Sequence, residues 1–276
     1  MPPQRSRPAR RPDTAKRRPR RPTPEPEPAA ESAPAARTIS LADLLRLLQE
    51  ATLELQGLLP NGSNYTFLAT VTRGDEIAYA VYKPTRGEQP LWDFPEETLA
   101  LREVAAYLTS DALGWDFVPP TIYRADGPHG PGSLQYFVHA QPDCHYFTFS
   151  NEDKAELPRV ALFDLLINNA DRKGGHIIKD TSGKLWLIDH GICFNSQPKL
   201  RTVVWDFGGQ PIAPSLLDDL SAFRQRLDDD AELAEAYARL LTPTEVNALR
   251  RRADRLLKSR AFPEPGPGRN YPWPPL

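Results

Sequence analysis

Hydrophobic positions change their spacing several times along this chain. Leu41, Leu44, Leu45 and Leu48 fall on one helical face, and Ser40 with Asp43 forms a capping pattern, so a short helix is predicted there. Three strand-like runs follow: Leu53–Gly57, Thr66–Thr72 and Ile77–Lys83. The turn residues Pro60–Asn64 and Arg73–Glu76 separate them. Links this short imply an antiparallel sheet. A helix fits Pro95–Leu113 and stops at Gly114, Val118-Pro119-Pro120 breaks the chain, and Leu134–Val138 is a further strand candidate.

Residues 157–168 are apolar on most sides, and Pro158 suits a first helical turn, which predicts a buried helix. A strand pair is expected around Gly183, from His176–Lys179 and Leu185–Ile188. Helical patterns then recur near 215–227, 230–241 and 243–260. Sheet with one helix, then helix and hairpin, then helices is an α+β, two-lobed order. It places a small antiparallel-sheet lobe at 38–139 and a mainly helical lobe at 140–260. A Pro-rich end at 261–276 carries Tyr271 and Trp273, read as packing or disorder.

Charge separates the first segment from the rest. Residues 1–37 hold ten basic groups, nine Arg plus Lys16, and four acidic ones. Taking these from the totals of 34 and 36 leaves 24 and 32, a net charge of −8 for the remainder. An acidic body disfavours nucleic-acid binding. The segment 1–37 is Pro, Arg and Ala with almost no large apolar residue, so it cannot offset chain entropy and reads as disordered. It is either a solvated tail or a tether to acidic surfaces. The two cysteines, Cys144 and Cys193, lie far apart, which argues against a disulfide framework and for a reducing cytoplasm. No apolar run is long enough to span a membrane.

Two polar segments carry the candidate chemistry. Ile167-Asn168-Asn169-Ala170-Asp171-Arg172-Lys173-Gly174-Gly175-His176 begins where the buried helix ends. Asp171 there could meet an acceptor, while Arg172 and Lys173 contact phosphate or anchor the loop. Leu185-Trp186-Leu187-Ile188-Asp189-His190-Gly191 delivers a second carboxylate at a strand end, 18 residues after Asp171. That gap fits one hairpin. Phosphoryl transfer needs a cation on the phosphates, carboxylates for Mg²⁺ and a carboxylate for the acceptor hydroxyl. Asp206-Phe207-Gly208 offers a rival metal motif, but it lies 35 residues from Asp171, about twice the span of one hairpin, so Asp189 is preferred.

Asp171-Arg172 followed by Asp189-His190-Gly191 resembles the catalytic and metal-binding loops of phosphatidylinositol 3-/4-kinase-like proteins. HipA-type kinases show a similar pair, and an actinobacterial phosphatidylinositol 3-/4-kinase-like family resembles the chain over about residues 50–260. The resemblance implies an ATP-dependent kinase using Mg²⁺ or Mn²⁺. Asp171 becomes the acceptor-orienting base, with Arg172 beside it, and Asp189 a metal ligand. Lys83 holds the α/β-phosphates, paired with Glu103. Gly62, Ser63 and Asn64 cover the phosphates through backbone N–H groups and hydroxyls. Residues 136–140, with Val138 and His139, form the adenine hinge. His176 stands where the pattern has a metal-binding Asn, although hard Mg²⁺ prefers oxygen. That departure and the glycine-poor loop leave a second reading open, a pseudokinase that binds nucleotide without turnover. The acceptor, lipid, protein or small molecule, is not legible.

Overall fold

A computed structural model describes residues 39–59 and 65–276. Gly62, Ser63, Asn64 and the basic segment 1–37 lie outside the described residues.

The first helix, α1, spans Leu41–Glu50, with the Ser40 hydroxyl accepting from the Asp43 N–H at 3.1 Å. Leu44, Leu47 and Leu48 are its buried residues, whereas Leu41 is left exposed. Strands β1 (Thr52–Leu58), β2 (Phe67–Arg73) and β3 (Glu76–Pro84) follow as an antiparallel meander. A hairpin of β4 (Thr121–Gly127) and β5 (Gly130–Tyr136) completes a five-stranded sheet ordered β1-β2-β3-β5-β4. Period-two alternation divides the work of this sheet. Ala80, Tyr82 and Leu134 turn toward α1 and close a small core with Ala69 and Val71. The intervening Val81, Lys83 and Gln135 line a cavity.

Helix α2 (Leu99–Ala112) begins later than the expected Pro95. The Thr98 hydroxyl instead donates to the Pro95 carbonyl at 2.7 Å, so Pro95–Thr98 forms a turn. Toward its C-terminal end α2 packs Ala105, Ala106 and Ala112 into a second, larger core.

That core belongs to the helical lobe. It is built on α3 (Leu157–Ile167), α4 (Pro214–Asp229), α5 (Ala231–Leu240) and α6 (Pro243–Ser259). Phe163 of α3 meets Phe117 edge-to-face, ring centroids 4.8 Å apart. A second sheet, ordered β6-β7-β8, comprises β6 (Ala140–His145), β7 (Ile177–Asp180) and β8 (Leu185–Leu187). The two-lobed α+β arrangement implied by the sequence is thus the observed one. The segment Phe137–His139 joins the two sheets.

The Pro-rich end at 261–276 forms neither helix nor strand, yet it is tied to the helical lobe by hydrogen bonds at Phe262, Asn270 and Pro275. Phe262 exchanges backbone hydrogen bonds with Gly209 and Gln210, each 2.9 Å. The Asn270 carbonyl accepts from the Thr202 N–H at 3.1 Å and from Trp205 Nε1 at 3.0 Å. The Pro275 carbonyl accepts from the Gly174 N–H at 2.7 Å.

Candidate active site

Lys83 is the second-last residue of β3, on the face turned away from α1. Its ammonium is bonded to Glu103 Oε1 and lies 3.0 Å from Asp189 Oδ1. Glu103 is buried on α2, and its other oxygen accepts from the His190 N–H at 2.9 Å. One carboxylate therefore fixes both the lysine and the chain just after Asp189. Burial pulls the Lys83 pKa down, but Asp189 and then Glu103 more than offset it, so the net shift is upward and the group stays charged. In return, the Lys83 charge holds Asp189 far below the usual carboxylate range, against the opposing effect of burial. The Asp189 side chain is 51% exposed and its backbone is left-handed, with φ +61°, a conformation Asp tolerates better than most residues.

These groups line a cavity of about 290 Å³ between the lobes. Val81, Val138, Ile178 and Ile188 give it apolar walls, and Tyr136 and Phe137 border it where the sheets are joined. Val138 is in place. His139 is not among the lining residues; it is exposed, and its ring packs edge-to-face on Phe137 and Tyr79. His139 thus belongs to the segment that joins the sheets, but its side chain does not face the cavity.

His176 also lines the cavity, with Nε2 3.3 Å from Asp189 Oδ2. Burial pulls its pKa down to about 4, in spite of Asp189, so the ring is neutral at pH 7. Asp189 and His176 are thus the side chains positioned to hold a divalent ion. Among the described residues no three His, Cys, Asp or Glu side chains converge into a complete cage. Mg²⁺ sites of one or two protein ligands are completed by substrate phosphates and water, and the pair fits that arrangement.

Asp171 stands in the loop after α3, 28% exposed, with Lys173 Nζ at 3.4 Å. Its N–H donates to the Asn169 side-chain oxygen at 3.0 Å. Burial raises its pKa, Lys173 opposes that, and the charge of Asp189 adds to the rise. The loop is organised from below by a residue the sequence reading passed over. Asp164, fully buried on α3, accepts from Asn169 Nδ2 at 3.1 Å, Arg172 Nε at 3.1 Å and the Thr202 hydroxyl at 3.0 Å. A lone carboxylate among the apolar residues Val160–Ile167 was the available signal, because a buried charge needs partners.

Of the two roles open to Arg172, contacting phosphate or anchoring the loop, its geometry fits the second and not a catalytic one, because its side chain is 0% exposed and cannot face a substrate. Besides Asp164, it donates to the carbonyls of Ile188 at 3.0 Å and His176 at 3.3 Å, and to His190 Nε2 at 2.8 Å. It anchors the Asp171 loop to the Asp189 segment. The rival Asp206 is engaged elsewhere, accepting from the Tyr146 hydroxyl at 2.7 Å, while Asp189 is the aspartate that reaches Lys83.

Residues 98–215 match the family described as phosphatidylinositol 3- and 4-kinase. Over 263 residues the chain is 39% identical to Protein Rv2133c of Mycobacterium tuberculosis, covering 83% of this chain and 94% of that one. The chain belongs to this actinobacterial phosphatidylinositol 3-/4-kinase-like family. It is also 31% identical over 156 residues to phosphatidylinositol 4-kinase gamma 4 of Oryza sativa. That alignment takes in 49% of this chain but 27% of the plant protein, so the chain spans about a quarter of its length. Among solved structures, the Helicobacter pylori proinflammatory kinase CtkA superposes with a TM-score of 0.48 at 12% identity, over 78% of this chain and 94% of that one. The kinase-like family match begins at residue 98, so it takes in Glu103, Asp171, His176 and Asp189 but not Lys83, which the sheet brings to them.

Proposed function

We propose that this protein is an ATP-dependent phosphotransferase whose acceptor is a hydroxyl group. The observation that carries the reading is the Lys83 ammonium held between Glu103 and Asp189 on the wall of the interlobe cavity. In this reading the adenine lies between Val81, Val138, Ile178 and Ile188, and Lys83 binds the α/β-phosphates. Asp189 and His176 would hold the divalent ion, which when bound would neutralise phosphate charge. Asp171 orients the acceptor hydroxyl and takes its proton as the oxygen bonds to the γ-phosphorus and the bond to the ADP oxygen breaks. A carboxyl whose pKa burial has raised is better suited to that proton than an ordinary surface aspartate.

The name of the plant relatives suggests phosphatidylinositol as the acceptor; lipids, proteins and small molecules bearing a hydroxyl are the classes to screen. Labelled ATP supplied with each class, beside ADP release, tests the reading. Phosphate transfer is expected in the wild type. In Asp171→Asn it falls by about 10²–10⁴-fold, the usual contribution of a positioned acid or base. Unchanged transfer in that variant contradicts the assignment.

His176 motivates a second reading, a nucleotide-binding scaffold without turnover. Nucleotide binding with no transfer under either Mg²⁺ or Mn²⁺ favours it. His176→Asn separates the cases further: a gain in turnover marks the histidine as a handicap, and a loss marks it as a dedicated ligand.

A further inference from the structure

A second cavity, of about 280 Å³, lies in the helical lobe and shares no lining residue with the Lys83 site. Leu165, Leu200 and Leu256 are among its apolar lining residues, and Arg251, Arg252 and Arg255 of α6 line it as well. Among the described residues none of these three arginines forms a salt bridge with a carboxylate, whereas Arg224 and Arg250 in the same region both do. Arg252 donates to the Leu166 carbonyl at 2.6 Å and the Asn195 carbonyl at 3.2 Å, yet its Nη2 is buried with no hydrogen-bond partner among the described residues. Burial, together with the positive charges of Arg251 and Arg255, pulls the Arg252 pKa down to about 10. The buried, unpaired Arg252 Nη2 is a donor that an anion would satisfy, and the exposed guanidinium groups of Arg251 and Arg255 lie beside it, in a body of net charge −8.

We infer that this cavity is a binding site for a phosphate-bearing ligand with an apolar portion. Guanidinium groups suit phosphate because their fork of donors matches its oxygens. The leucines give the attached group an apolar surface. The site lies behind the loop that carries Asp171. Asn168, which ends α3, lines it and also ties down the segment after Cys193, donating to the Asn195 and Gln197 carbonyls at 2.8 and 2.7 Å. A ligand here therefore touches the support of the candidate catalytic loop while leaving the nucleotide cavity open.

The test uses the full chain carrying Lys83→Met, so that phosphate held in the interlobe cavity does not contribute. The probes are inorganic phosphate, phenyl phosphate, and phosphatidylcholine vesicles with and without phosphatidic acid. Calorimetry is used for the soluble probes and co-sedimentation for the vesicles. Phenyl phosphate is expected to bind more tightly than inorganic phosphate, and less tightly as salt is raised. Arg251→Gln with Arg255→Gln, two exposed side chains with no hydrogen bond among the described residues, should weaken binding at least tenfold. Retention on phosphatidic acid vesicles that falls in the Arg251→Gln, Arg255→Gln variant identifies a lipid source, and phenyl phosphate binding without such a fall identifies a soluble ester. Binding that is equal in the double variant, or absent for every probe, overturns the inference. Neither result depends on turnover, so the inference and the phosphotransferase reading stand or fall separately.

Discussion

At the scale of single residues, the site is a balance of charges that can be shifted one at a time. Glu103→Gln removes one of the two carboxylates that hold Lys83, and ATP affinity measured by calorimetry should fall by about tenfold, or ~1.4 kcal/mol. Arg172→Ala behaves differently. Its guanidinium is completely buried and engages Asp164, two carbonyls and His190, so its loss leaves Asp164 uncompensated. Chemical denaturation should show a loss of about 3–5 kcal/mol, the usual result of breaking a buried pair. A catalytic defect in a protein of unchanged stability would contradict the anchoring role. The pH dependence also has a definite sign. Asp171 must be ionised to accept a proton, so turnover falls as pH drops through its raised pKa. Lys173 opposes that rise, so Lys173→Ala should move the acid limb of the profile to higher pH. His176, neutral above about 4, contributes no limb between pH 5 and 8.

At the scale of elements, the sequence disclosed whatever depends on local periodicity and concealed whatever depends on distant partners. The α1 cap, the β1–β3 meander, α3 and α4–α6 all followed from spacing and capping residues. The hairpin strand β4 was hidden because it begins just after Val118-Pro119-Pro120 and its pairing with β5 is interrupted between Arg124 and Gly127. Strand β6 was hidden because its polar residues lack alternation and it pairs with β7 irregularly, between Ala140–Asp180 and His145–Ile178. Lys83 and Asp189 were legible from their places at strand ends. The burial of Arg172 was not, because Asp164, Ile188 and His190 are brought to it only by the fold. The Pro-rich end was the least legible, since its anchors are backbone carbonyls that any sequence supplies. Those anchors give a prediction. Removing residues 270–276 frees Thr202, Trp205 and Gly174, so hydrogen exchange should quicken at 169–176 and 201–205 and not within β1–β3. Unchanged exchange in the first two segments would show that the end does not hold the loop.

At the scale of the whole molecule, α2 is the mechanical link between the lobes. Glu103 reaches the small-lobe lysine, while the adjacent Arg102, itself buried, pairs with Glu245 of α6 at 2.5 Å and donates to the Cys193 carbonyl at 2.7 Å. One helix turn thus ties the nucleotide-facing sheet to the helical core. Among the described residues no helix is long and apolar enough to cross a membrane. The ten basic groups of residues 1–37 are a concentrated positive charge suited to an anionic lipid surface. Deleting 1–37 should lower retention on anionic vesicles and leave nucleotide binding unchanged.

The most direct test is a calorimetric titration of ATP with Mg²⁺ into the wild-type protein and into Asp189→Ala, side by side. Saturable binding in the first and its loss in the second is the predicted result. Equal heats in the two proteins would contradict a nucleotide site built on Lys83, Glu103 and Asp189.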